Sequence, residues 1–393
     1  ACLVGSEMCI RDRLQPVKVV CTDDLGETLV DIMQTAGYSR PLMVTDSFVG
    51  SMPLVVAART KLEQVGVDVA VFDQVKPDPL CETVESGVEA FEAHKADSII
   101  AIGGGSSMDV ARGINIVRVN GGSIIEYTDP AKPIAPCNGM IAVPTTAGTG
   151  SEMSNALVVT EGSTGRKLAV LADPAVSEYA VLNADLMLTL PAKMTIACGL
   201  DAFCHAAEGY LSRMASPVTD AICEKAMFLL YNYLPRAVAN GQDREARERV
   251  MVASTLAGWM LNNAGTIAGH SIAHVLGAKY HIVHGEAVGY ALPAVMEFVA
   301  PVRAHKVREI GQILGAVYPE NAPDEQVAII ASRAFKDFRD RMLGLHPVED
   351  YGISVEELVS NAQAVVDERF AGNTPRDIDL QAAEQLLEGF GSR

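Results

Sequence analysis

No CxxC pair occurs in this chain although it holds eight cysteines, which excludes zinc-ribbon and thioredoxin patterns. Cys2, Cys9, Cys21, Cys81, Cys137, Cys198, Cys204 and Cys223 read instead as reduced, mostly buried thiols of a cytosolic protein. No apolar run approaches the roughly 20 residues needed to span a bilayer, and the opening residues lack the basic segment of a secretory signal. A cytoplasmic protein without a membrane partner is expected. Positive charge is scarce, with 31 Lys and Arg against 49 Asp and Glu for a net charge of −18. A nucleic-acid partner, which requires a basic surface, is thereby excluded. The dinucleotide fingerprint GxGxxG is missing, as are internal repeats, low-complexity tracts and long linkers.

What is there describes a well-buried globular protein: 393 residues, 49% hydrophobic and only 20% charged, long enough for two cores. Residues 1–13, ACLVGSEMCIRDR, match none of the patterns in the rest of the chain. SEMCIRDR resembles translated sequencing-adapter read-through, so this stretch reads as a non-native leader that forms no part of the fold. Beyond it, short apolar runs alternate with amphipathic stretches. Strands are expected at Val17–Cys21, Pro41–Thr45, Asp68–Phe72, Ser98–Ile102 and Met140–Val143, with helices at Leu25–Ala36, Ser51–Gln64 and Leu80–Lys95. Such alternation predicts a mostly parallel sheet covered on both faces. An inserted hairpin is expected over Thr160–Ala172 around the turn EGSTG. From Pro191 onward only helical patterns remain: Thr195–Ser212, Pro217–Ala239, Glu245–Asn262, His270–Gly277, Glu286–Phe298 and others. The expectation is an α/β domain over 14–190 and then an all-α domain over 191–393.

Four of the eight histidines fall between His270 and His284, and His205 comes four residues after Asp201 in GLDAFCHAAEG. Residues four apart share a helix face, so Asp201 with His205, and His270 with His274, each aim two donors in one direction. A lone histidine is ordinarily a satisfied core or surface residue. A cluster of imidazoles in the small, apolar segment AGHSIAHVLGAKYHIVHGEA is costly to bury without a shared purpose. Imidazole and carboxylate together suit iron, zinc, cobalt or nickel, rather than calcium or magnesium.

The first domain holds SIIAIGGGSSMDVARG, an apolar run, three glycines and a polar helix start. Gly103, Gly104 and Gly105 leave free backbone amides at the positive end of a helix, where an anion is favoured. Ser106 and Asp109 have the spacing of a helix cap and its reciprocal partner. A tight strand-to-helix turn is the plainer reading of three glycines. MIAVPTTAGTGSE repeats the logic one strand later, with the hydroxyls of Thr145, Thr146, Thr149 and Ser151 after a buried strand. Two such loops at neighbouring strand ends line one crevice. Asp46 ends the run RPLMVTD; it reads either as a helix cap or as a carboxylate that accepts from a ribose and repels a 2′-phosphate.

These motifs, VTD, GGGSSMD, PTTAGTGSE, GLDAFCH and the run from His270 to HGE, resemble those of the iron-containing, group III alcohol dehydrogenases, in the same order and from about Val17 onward. The resemblance implies the dehydroquinate synthase-like fold, an NAD-binding first domain, and a metal in the cleft between the domains. It implies metal ligation by Asp201, His205, His270 and His284, and a proton-relay role for His274. His281 has no counterpart there, although its spacing makes it the rival ligand. Gly103 to Ser106 with Asp109 correspond to the pyrophosphate loop, Thr145, Thr146 and Thr149 to the second loop, Lys167 to a lysine near the cofactor's ribose, and Asp46 to the position favouring NAD over NADP. The chain departs from the family at Asp78, in PDP where PNP is usual, and at Arg112, where lysine is common.

The expected activity is hydride transfer between a small aliphatic alcohol, diol or aldehyde and nicotinamide, with Fe2+ before Zn2+ as the ion, in a homodimer or larger assembly. Small residues such as Gly265 and Ala268 point to a compact substrate. Three other readings compete with it. A lyase of the dehydroquinate synthase type lacks, here, the basic array a polyanionic substrate needs. A metallohydrolase leaves the paired loops unexplained, and the last is a non-catalytic protein that binds nucleotide and metal for structure alone.

Overall fold

The computed structural model describes residues 16–393; the expected leader, 1–13, lies outside them. In chain order the first part runs β1 (Lys18–Cys21), α1 (Leu25–Ala36), β2 (Pro41–Val44), α2 (Ser47–Gly50), α3 (Pro53–Gln64), β3 (Ala70–Phe72), α4 (Cys81–His94), β4 (Ser98–Gly103), α5 (Gly105–Asn120), β5 (Met140–Pro144), β6 (Ala156–Thr160), β7 (Lys167–Leu171) and β8 (Tyr179–Leu182). Six strands form one sheet in the order β1-β8-β5-β4-β2-β3, and every pairing in it is parallel. The inner strands β2, β4, β5 and β8 are buried along their whole length, which is why they read as continuous apolar runs. Alternation then sorts β4: Ile99 and Ala101 join the core under α4 and α5, while Ile100 and Ile102 join the one under α1 and α3.

Three sequence expectations need correction. The strand β8 lies in VSEYAVLNADL, a stretch whose burial leaves no alternation to detect. The hairpin is β6–β7, antiparallel from Ala156 paired with Leu171 to Thr160 paired with Lys167, so its first arm ends, rather than begins, at Thr160. The helix after the glycines starts at Gly105 with Gly104 as its cap residue, two positions before the expected Ser106 cap. Asp109 is therefore free to bond elsewhere.

The remainder is helical: α6 (Ala192–Leu211), α7 (Pro217–Ala239), α8 (Arg244–Asn263), α9 (Ala268–Tyr280), α10 (His284–Ile313), α11 (Asp324–Asp337), α12 (Val355–Val359), α13 (Ala362–Asp367) and α14 (Leu380–Glu388). α7 begins with Ser216 capping and Pro217 in the first turn. α10 runs well past the expected Phe298 and breaks at Arg303, whose φ is −139°, just after Pro301 deprives the helix of a donor. The core of this half takes in Ala147, Leu182 and Met187 from the first part, so the two halves share a packed seam. Among the described residues no helix is long and apolar enough to cross a membrane.

Candidate active site

Three helices meet at the end of this seam. Asp201 and His205 lie one turn apart on α6, His270 and His274 one turn apart on α9, and His284 is the first residue of α10. Close approach is bought by glycine: a Cβ on Gly285 would stand 1.9 Å from the Ala197 carbonyl of α6, and one on Gly269 2.2 Å from Glu208. Asp201 Oδ1 is the common point. It lies 3.6 Å from His205 Nε2, 3.7 Å from His270 Nε2 and 3.4 Å from His284 Nε2. One donor atom each from Asp201, His270 and His284 falls within 4.8 Å of the others, and His205 joins through its ring, stacked on His270 at 4.6 Å.

These spacings fit a bound cation. Donors on a tetrahedron with bonds of about 2.1 Å stand about 3.4 Å apart. Asp201 Oδ1 and His270 Nε2 are buried without a hydrogen-bond partner, a cost that a shared ion removes. Burial opposes ionisation of Asp201, yet His205, His284 and His270 hold its carboxyl well below the usual range. Burial drops the His205 imidazole to about 3. At His270 burial acts the same way, but the Glu208 and Asp201 carboxylates outweigh it and push the ring up to about 10.

Glu208 was missed from the sequence. Its Oε1 takes His270 Nδ1 at 2.9 Å while Oε2 accepts from Ile267 N at 2.7 Å, orienting the ring so that Nε2 is turned to Asp201 Oδ1. The signal was present, since 201, 205 and 208 trace one helical stripe. His281, the rival ligand, is exposed and ends α9 in the left-handed conformation, φ 57°; it turns the chain so that His284 can face Asp201. His274 stands beside the cluster, its ring stacked on His284 at 5.5 Å and tilted against Phe370 at 5.6 Å. Burial lowers its pKa. Its Nδ1 lies 3.2 Å from Glu368 Oε1, a partner about 90 residues away that no local pattern announces. Gly265 and Ala268 border the same C-terminal segment: Ala268 N donates to Thr374 Oγ1 at 3.1 Å, and a Cβ on Gly265 would meet Asn373 at 2.9 Å.

The nucleotide candidates form a row along the carboxyl ends of β2, β4 and β5. Gly103 closes β4 with φ 155°, and a Cβ there would strike Ser107 Oγ at 2.3 Å. Cβ atoms on Gly104 and Gly105 would touch Thr146 at 3.4 Å and Thr149 at 3.0 Å, so the two loops line one crevice. Thr145 N donates to Gly103 O at 2.9 Å across it, and Ser106 is half-buried in the first turn of α5. Without a side-chain cap, that helix end keeps amides for an anion. Asp46 caps α2, its Oδ1 accepting from Phe48 N and Val49 N at 2.9 Å each. Its Oδ2 lies 4.0 Å from the Cβ position of Gly103, so the cap uses one oxygen and the other stands beside the glycine turn.

Asp109 faces inward rather than toward a phosphate. It accepts from Ser151 Oγ at 3.2 Å and Val158 N at 3.1 Å, tying α5 to the second loop and to β6. Arg112 is wholly buried and donates to the Ser151 and Ala156 carbonyls, which gives this departure from the family a structural task. Lys167 pairs with Asp78 at 2.6 Å, so one of the two departures holds the lysine expected near the ribose. The second loop packs on the helix that carries Asp201 and His205. A Cβ on Gly148 would stand 2.7 Å from Cys198 Cα, one turn before Asp201 on α6.

Comparison with known proteins decides the family. A model described as "Iron-containing alcohol dehydrogenase" matches residues 16–184, and one described as "Fe-containing alcohol dehydrogenase family, C-terminal" matches 195–390. The chain belongs to the iron-containing alcohol dehydrogenase family. Among its relatives in this family, the NAD-dependent methanol dehydrogenase of Bacillus methanolicus is 34% identical over 91% of this chain and 93% of that protein. The lactaldehyde reductase of Escherichia coli K12 is 32% identical over 91% of this chain and 94% of its own length. A solved 1,3-propanediol oxidoreductase superposes with a TM-score of 0.89 at 30% identity, covering 96% of this chain and 99% of that one.

Proposed function

We propose that this protein is an NAD-linked, metal-dependent dehydrogenase of small primary alcohols or diols, working equally as a reductase of the matching aldehydes. The carrying observation is the meeting of three imidazoles on Asp201 Oδ1, at 3.4–3.7 Å, one helical turn from the loop that closes the glycine crevice. Asp201, His205, His270 and His284 would hold the ion, iron(II) by family and zinc next. When bound, the ion supplies Lewis acidity to the substrate oxygen, and NAD supplies the hydride acceptor.

The protein's own part is placement and proton transfer. Gly103, Gly104, Gly105 and Ser106 present amides to a pyrophosphate, and Thr145, Thr146 and Thr149 present hydroxyls from the facing loop. Lys167, held by Asp78, and Asp109, behind the loop, shape the crevice from its rim and its floor. Asp46 Oδ2 accepts from a ribose and repels a 2′-phosphate, so NAD is favoured over NADP. His274 Nε2, on the ring edge opposite Glu368, takes the alcohol proton directly or through water and returns it in the reverse direction. Phe370 and the segment around Gly265 and Ala268 restrict the substrate to a compact one. Six described cysteines are free thiols, which supports a cytoplasmic home. The two family models divide the chain near residue 190, which supports domains over 14–190 and 191–393.

The test is purified protein with NAD and a panel of short primary alcohols and diols, monitored at the NADH absorbance band, with metal analysis of the same preparation. NADH should accumulate, and Asp201→Ala should lose both metal and activity. Turnover without nucleotide would make it a hydrolase, and turnover with no net NADH a lyase. Asp46→Gly should bring NADP use closer to that of NAD; unchanged preference removes the proposed role of Asp46.

A further inference from the structure

The segment after α13 brings one carboxylate to the site histidine that has no place among the four converging donors. Glu368 Oε1 lies 3.2 Å from His274 Nδ1, while Oε2 accepts from Ser271 Oγ at 2.6 Å and from Phe370 N at 2.8 Å. Two donors therefore hold one oxygen in place, and the other oxygen is left for the histidine. The side chain is 17% exposed, so water competes little for that contact. An ionised carboxylate only accepts, so His274 Nδ1 must carry the hydrogen. Nε2 then carries the lone pair and stays available to a bound substrate.

From this arrangement we infer that Glu368 is a positioning residue for His274, setting the tautomer and ring orientation that put an unprotonated Nε2 toward the substrate. The inference rests on the dehydrogenase reading of the site and adds to it a residue that touches neither ion nor substrate. The simpler role, capping the short turn Arg369–Asn373 through Phe370 N, uses Oε2 alone. The two roles separate in Glu368→Gln. The amide oxygen must stay with the donors Ser271 Oγ and Phe370 N, so the cap survives. The amide nitrogen then faces His274 Nδ1 and donates to it, which moves the imidazole hydrogen to Nε2 and blocks proton acceptance there.

The experiment uses zinc-loaded full-length protein with 15N-labelled histidine, His274→Gln serving to assign the His274 signals. In the unmodified protein, His274 should show the Nδ1–H tautomer; the Nε2–H tautomer there overturns the inference without any variant at Glu368. In Glu368→Gln the tautomer should invert, kcat should fall by about a hundredfold, the scale of general-base catalysis, and metal content, melting temperature and KM for NAD should stay put. Glu368→Asp should keep the Nδ1–H tautomer and recover a measurable part of kcat. A Glu368→Gln protein with unchanged tautomer, whatever its rate, reduces Glu368 to a turn cap. Absence of alcohol oxidation in the unmodified protein would instead defeat the dehydrogenase reading while leaving the tautomer result to stand by itself.

Discussion

At the scale of single residues, the site is made of pairs in which a carboxylate holds a histidine for work done by its other nitrogen. Glu208 does this for His270 at 2.9 Å. Glu208→Gln should weaken ion binding by about tenfold to a hundredfold, the range for such supporting partners, in a competition titration of the apoprotein with Co2+ or Zn2+ against a chelator. Glu286, two residues after His284, has its own pair: Oε2 lies 2.8 Å from His346 Nε2 and accepts from Tyr351 at 2.7 Å, and Val283 N donates to that Tyr351 hydroxyl at 3.2 Å. The start of α10 is thereby fixed on the residue before the ligand. The converging donors were legible because Asp201 with His205 shares a helix stripe and because histidines crowd after His270. Their carboxylate partners were less so. Glu208 lies on the stripe of Asp201 and His205 and needed only a third step along it. Glu368 and His346 come from segments folded back over the site, and chain order carries no trace of that return.

At the scale of elements, glycine decides how near the two halves come. Gly150 sits at φ 59°, and a Cβ there would lie 2.3 Å from Gly258 Cα on α8. Gly150→Ala should therefore cost about 2–4 kcal/mol through strain and overpacking, measured by denaturant unfolding, and should raise KM for NAD because the threonine loop is pushed off its seat. A variant as stable as the parent would show that the seam yields easily. Amphipathic elements were predicted well: α1 and α7 fall where periodicity puts them. β8 was lost because a strand buried on both faces loses its alternation, and the α5 cap was misplaced because a glycine beginning needs no polar side chain. Asp109, freed from capping, became a cross-link between α5 and the hairpin.

At the scale of the molecule, pH and metal should both move stability. Asp109 is largely shielded from water, its side chain 18% exposed, and despite Arg112 this desolvation pushes its carboxyl up to about 6. The folded protein thus holds that proton more tightly than the unfolded chain, whose carboxyl titrates near about 3.9. The stabilisation is complete below the unfolded value and is lost as pH rises through the folded one. Relative to Asp109→Asn, the protein should lose about 1 kcal/mol between about pH 5 and about pH 7.5, by urea unfolding at each pH; a constant difference would mean Asp109 ionises normally. Chelation should lower the melting temperature by a few degrees, since an ion at a thousand times its Kd adds about 4 kcal/mol; an unchanged melting temperature would mean the ion adds nothing to the fold.

All four converging donors come from α6, α9 and α10, while the glycine and threonine loops hang from the sheet. Each co-reactant therefore has its own landlord in the chain. Stripping the ion should leave dinucleotide binding nearly intact in calorimetry, and emptying the crevice should leave the ion in place, so the enzyme can trade spent cofactor through many cycles without ever surrendering its metal.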